Sequence, residues 1–179
     1  ALVQAYNDAI VNISLEELMA AVNHVFEEYK EQAYTYTRDL VRSLKEQGYL
    51  LFAISASQIE VVELLASYYG FDDFGGSVYE KLDGHFTGQC QSLRRERKPE
   101  YLKQLVEKYG ATFAGSIGVG DSDSDIPMLE IVEQPIAFNP NKLLFEHAKQ
   151  QGWKVVIERK NMVYELEPKD GNLILAQTN

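Results

Sequence analysis

The chain has 179 residues, 45% hydrophobic and 25% charged, an ordinary globular balance with room for one domain and a small appendage. Its 27 acidic residues against 17 Lys and Arg give a formal net charge of -10. That excludes nucleic acid as a partner, since there is no basic surplus to neutralise its phosphates, but leaves room for a small phosphorylated ligand. The single cysteine, Cys90, excludes an internal disulfide and fits a reducing, cytoplasmic compartment. The longest apolar run, Tyr49–Ile54, is too short to cross a bilayer, and no signal peptide opens the sequence, so no membrane partner is expected. Nothing in the composition speaks to oligomeric state.

Residues 1–13 carry no clear pattern. Ser14-Leu15-Glu16-Glu17 is a capping box, and Leu15, Leu18, Met19, Val22, Val25, Phe26 and Tyr29 recur behind it at helical spacing to about Lys30. A second helix is expected from about Tyr34 to Gln47, with Leu40, Val41 and Leu44 as its stripe and Gly48 as its stop. Its opening, Tyr34-Thr35-Tyr36-Thr37, is β-prone in isolation. Tyr49–Ile54 reads as a parallel strand buried on both faces. Ser55-Ala56-Ser57 then leads into a helix from about Gln58 to Tyr69, ended by Gly70. Phe71–Ser77 reads as loop with at most a short strand. Val78–Leu82 and His85–Thr87 flank Asp83-Gly84, the strongest hairpin signal in the chain.

A basic stretch, Gln89–Lys98, reaches Pro99, which suits the first turn of a helix that continues to Tyr109. An apolar run then ends at Gly120, an acidic turn follows, and a short helix is expected to about Val132. Pro135–Phe138 reads as a strand, Asn141–Gln151 as a helix and Trp153–Ile157 as a last parallel strand. Met162–Leu166 and Leu173–Ala176 flank Lys169-Asp170-Gly171, a terminal hairpin or a loose tail. The alternation of strand and helix predicts an α/β fold, an open parallel sheet with helices on both faces. The expected division is a partial helical lid over 1–33, an α/β core over 34–160 and a hairpin or tail over 161–179.

Three places carry chemistry. In the acidic turn, Asp121 and Asp125 are four residues apart, so in a helical turn they share a face, and their repulsion invites a hard divalent cation. A helix cap would need only one of them. Ser55, at the end of a strand, could hold an anion with the helix N-terminus behind Ser57, or could be a cap. Lys98 could bind phosphate as a point charge, or could be one solvated cation beside Arg94, Arg95 and Arg97. His24, His85 and His147 have no ligand-like spacing, and Gly118 with Gly120 makes no dinucleotide fingerprint.

The stretches L-L-F-A-I-S-A-S, L-D-G-H-F-T-G, R-K-P-E-Y-L, G-V-G-D-S-D-S-D-I-P-M-L-E and Q-P-I-A-F-N-P-N-K-L-L come in an order that closely resembles the haloacid dehalogenase-like phosphatases, in their phosphoserine-phosphatase-like branch. The resemblance covers roughly Gly48 to Ile157. It implies a Rossmann-like fold with a helical cap and hydrolysis of a phosphate monoester through an aspartyl-phosphate, with Mg2+ as cofactor and a small phosphorylated metabolite as partner. By the same resemblance Ser55, Ala56 and Lys98 would hold the phosphoryl oxygens, Asp121 would ligate the metal, and Asp125 would hold Lys98 or a water on the metal. Asp123 would be a bystander or cap. The family's first motif, D-x-D-x-T, which supplies the nucleophile, is absent from these 179 residues. It is therefore expected upstream of Ala1, on a strand lying between those that end at Ser55 and Gly120, and the 179 residues alone are expected to be inactive. Two other readings stay open: a non-catalytic binding or regulatory protein of this fold, and a phosphotransferase.

Overall fold

The computed structural model describes residues 2–159 and 162–178. The expected boundary at 160/161 falls on residues outside that set. The chain divides into two compact units, Ala1–Arg94 and Arg95–Asn179. Among the described residues no helix is long and apolar enough to cross a membrane.

The first unit opens with α1 (Leu2–Ile10) and α2 (Leu15–Tyr29). The capping box forms as its residues predict: the Ser14 hydroxyl accepts from the Glu17 N–H at 3.1 Å and Glu17 accepts from the Ser14 N–H at 2.8 Å. α3 (Thr35–Glu46) follows, then strand β1 (Phe52–Gln58) and α4 (Ile59–Tyr69), which Gly70 closes in the left-handed region. β2 (Asp73–Leu82) pairs parallel with β1 and antiparallel with β3 (His85–Gln91). The β2–β3 turn is Asp83-Gly84, both at positive φ (50° and 80°), the backbone a two-residue hairpin of matching twist requires. Ile10, Tyr79 and Phe86 form a buried cluster with Leu15 and Leu18 against it, so the α1–α2 corner packs on the hairpin.

Several expectations change here. The strand begins at Phe52 rather than Tyr49, and it runs on to Gln58, so Ser55 lies inside it and not in a loop after it. The reason is a bulge. Ile54 pairs with Gly75 and Gln58 with Ser77, so Ser55, Ala56 and Ser57 together oppose the single residue Gly76. Helix α4 starts after Gln58, so Ser57 is not its cap. β1 is also only half-buried, because it is paired on one side alone and forms the edge of its three-stranded sheet. β2 starts well before the expected hairpin arm, since Asp73, Phe74 and Gly75 find partners on β1.

The second unit holds α5 (Lys98–Lys108), β4 (Ile117–Gly120), a 3-10 turn (Asp123–Asp125), α6 (Ile126–Leu129), β5 (Gln134–Phe138), α7 (Lys142–Gln151) and β6 (Lys154–Arg159). β4, β5 and β6 pair in parallel, and β7 (Met162–Lys169) and β8 (Asn172–Thr178) continue the sheet antiparallel. The order β4-β5-β6-β7-β8 makes β4 an edge strand. Asp170-Gly171 turns the last hairpin at positive φ, 50° and 76°. α6 stops short of Val132 because the chain is diverted: Ser116 takes the Glu133 N–H on its hydroxyl and the Gln134 N–H on its carbonyl, which starts β5. The core of this unit is Ile126, Leu129, Ala137, Leu144, Ala148 and Val155. It fixes α6 and α7 on the sheet and so places the turn that leaves β4.

Candidate active site

The second unit brings two of the expected residues together. Lys98 opens α5 immediately before Pro99, and Asp125 closes the 3-10 turn after β4. Both are buried, at 5% exposure each, and Lys98 Nζ lies 2.5 Å from Asp125 Oδ1. The lysine is therefore not one of a solvated basic run. A buried ammonium at this position has to be paired, because an unpaired one costs several kcal/mol. The other carboxylate oxygen of Asp125 accepts the Asp121 N–H at 3.1 Å, the Ser122 N–H at 3.1 Å and the Ser122 hydroxyl at 3.2 Å. Burial alone would raise the Asp125 pKa. The Lys98 hydrogen bond and charge, with the Ser122 and Asp121 N–H groups, outweigh it and hold the carboxyl below its ordinary value.

Asp121 sits at the start of the same turn and is open to solvent. Its pKa shifts the other way: partial desolvation raises it first, and the nearby charge of Asp125 raises it further. Asp121 and Asp125 thus titrate apart, one held ionised by its partners and one strained by a like charge. Gly120 makes this closeness possible. A Cβ there would lie 2.6 Å from the Asp125 Cβ and 3.0 Å from its carboxyl carbon, so only glycine lets the side chain fold back over the strand end.

Asp123, expected as a bystander or cap, is instead bonded on both carboxylate oxygens. Oδ2 lies 3.2 Å from Arg95 Nη1, and Oδ1 accepts the Asn141 side-chain amide at 2.8 Å. Sequence reasoning overlooked Arg95, Asn141 and Ser122. Only Ser122 left a signal: Ser122-Asp123-Ser124-Asp125 spaces a hydroxyl and a carboxylate as a capping box does.

Ser55 and Ala56 stand in the first unit, in the β1 bulge. The Ser55 hydroxyl accepts the Ser57 N–H at 3.1 Å, and the Ala56 carbonyl accepts the Ser77 hydroxyl at 2.7 Å. The bulge is thus pinned, with Ala56 and Ser57 exposed and Ser55 half-buried. For a metal, the donor set is hard oxygen. Among the described residues there is no group of three or more His, Cys, Asp or Glu side chains able to hold an ion. Asp121 fits a hard cation as a ligand, since such a charge would relieve its repulsion with Asp125, but it contributes one carboxylate and not a whole site.

Comparison with known proteins decides the family. Residues 1–130 match the model of the haloacid dehalogenase-like hydrolases. The chain belongs to that family. The chain is 28% identical over 145 residues to a phosphoserine phosphatase of Mycobacterium tuberculosis, covering 79% of this chain and 47% of that one. Its fold is similar to that of a Bordetella pertussis Tohama I protein of unknown function, at TM-score 0.76 and 27% identity, covering 87% of this chain and 72% of the other. It is also similar to a crystal structure of phosphoserine phosphatase in its apo form, at TM-score 0.56 and 25% identity, covering 61% and 56%. The chain spans about half the length of the mycobacterial relatives it matches. The α/β fold and the phosphoserine-phosphatase-like branch expected from the motifs agree with these likenesses.

Proposed function

We propose that the chain carries the lysine and metal side of the active site of a Mg2+-dependent hydrolase of phosphate monoesters, similar to phosphoserine phosphatases, with a small phosphorylated metabolite as substrate. The observation that carries this reading is the buried Lys98–Asp125 pair beside the solvent-open Asp121. An ammonium can donate three hydrogen bonds, so pairing with Asp125 leaves Lys98 capacity for a phosphoryl oxygen. Asp125 fixes the ammonium and keeps it charged. Asp121 would hold the metal through its carboxylate. Mg2+, when bound, supplies charge neutralisation at the phosphoryl oxygens. By the family resemblance, Ser55 and Ala56 in the β1 bulge would serve as phosphoryl-oxygen binders. The attacking carboxylate, which would form an aspartyl-phosphate and then yield to water, is assigned to a segment outside these residues. Two facts support that assignment: no D-x-D-x-T occurs in the sequence, and among the described residues β1 and β4 each lie at the edge of their sheet, where a further strand could add.

The test is a screen of the protein, with its upstream sequence restored, against a panel of phosphate monoesters that includes phosphoserine, in Mg2+. Turnover is expected, and Lys98→Met should lower kcat by about 10²–10³-fold, the loss typical of a removed donor to the developing charge. No turnover of any ester, or turnover indifferent to Lys98→Met, would refute the reading. The missing motif favours one rival, a non-catalytic binding protein. That rival predicts saturable binding of a phosphate ester with no release of phosphate.

A further inference from the structure

The acidic turn holds three carboxylates within five residues, and their charges are dealt with differently. Asp125 is paired with Lys98, and Asp123 with Arg95. Among the described residues Asp121 forms no ion pair. Asn141 ties these together. Its side-chain N–H donates to Asp123 Oδ1 at 2.8 Å, its backbone N–H donates to the Asp121 carbonyl at 2.8 Å, and its side-chain oxygen accepts the Leu144 N–H at 2.9 Å, capping α7. Arg95 adds a second grip on the same loop, donating to the Asp123 carbonyl at 2.7 Å. The Asp121–Ser122 and Asp123–Ser124 peptides are therefore fixed from outside the turn.

We propose that Asp123, Arg95 and Asn141 form a positioning clamp that keeps Asp123 out of the ligand set and presents Asp121 alone to a divalent cation. The inference rests on the reading of Asp121 as a cation ligand. Its physical basis is that a flexible acidic turn offers a cation several carboxylate arrangements, whereas a clamped one offers a single orientation at lower entropic cost. Outer partners of a ligating carboxylate, when removed, typically cost about 10–100-fold in metal affinity. The clamp also consumes the charge of Asp123, which would otherwise add to the repulsion on Asp121.

The measurement is Mg2+ affinity by calorimetry on the protein with its upstream sequence, beside the thermal midpoint of the metal-free form. Asn141→Ser keeps an oxygen able to cap α7 but removes the amide donor to Asp123. Asp123→Ala removes the clamp's centre without touching the cap. Both should weaken Mg2+ binding about tenfold or more while the metal-free midpoint stays near that of the parent. Unchanged affinity in both variants would overturn the clamp alone. A loss of affinity matched by a collapse of the metal-free midpoint would reduce these residues to a merely structural role and overturn it too. A parent protein that binds no Mg2+ would instead overturn the reading of Asp121, a distinguishable failure.

Discussion

Lys98 and Asp125 set the electrostatics of the turn, and their burial makes them sensitive reporters. Asp125→Asn would leave the ammonium buried without a counter-charge, so it should destabilise the protein by about 3–5 kcal/mol, readable by urea unfolding at neutral pH. The pH dependence follows from the sign of the shift. The folded Asp125 carboxyl titrates below its ordinary value of 3.8, so its contribution to stability is complete above that value and is lost as pH falls through the folded pKa. Asp121 is raised above 3.8, so its ionisation opposes folding as pH rises through its folded pKa. Unfolding curves taken between about pH 5 and pH 2 should therefore show an acid-side loss of stability that is smaller in Asp125→Asn. An identical acid-side slope in parent and variant would mean that Lys98 does not hold this carboxylate ionised.

Elements differ in how far their sequence revealed them. The capped helix α2 was legible because Ser14 and Glu17 act within one turn, and the β2–β3 hairpin because Asp-Gly meets the positive φ that such turns need, whereas the last hairpin stood open against a loose tail. α5 was legible from Pro99 and Gly110. What was not legible depended on a partner distant in sequence. β1 was read as a strand buried on both faces from its apolar run, yet its burial is set by having one neighbour, β2, and its bulge by a register fixed through Gly75 and Ser77. The family resemblance led to the expectation that Asp125 holds Lys98 or a metal-bound water, but that pairing spans 27 residues and the pairing of Asn141 with Asp123 spans 18, so no local pattern carries either. α7 is the element on which the site leans most, since its N-cap Asn141 holds the turn and its Leu144 is fully buried in the core beneath. Leu144→Ala should cost about 2–5 kcal/mol by denaturant unfolding. A cost below about 1 kcal/mol would show that this core collapses around the gap and does not hold α7 in place.

At the scale of the whole chain, the two compact units carry different sets of the expected residues. The first carries the pinned serine bulge and the hairpin under the α1–α2 corner; the second carries the lysine, the acidic turn and its supports. Among the described residues each unit's sheet has a parallel-paired strand at one edge, β1 in one and β4 in the other. A parallel edge strand can accept a further strand along its unpaired side. Under the proposed function, the nucleophile motif absent from these residues would lie on a further strand. The most direct test is phosphate release in Mg2+ from three proteins: these 179 residues alone, the same chain joined to the sequence that precedes it in its gene, and the joined protein carrying Asp121→Asn. The joined protein alone should turn over phosphate monoesters, with Asp121→Asn lowering its rate by at least about 100-fold. Equal turnover by the 179 residues alone, or full activity in Asp121→Asn, would contradict the account.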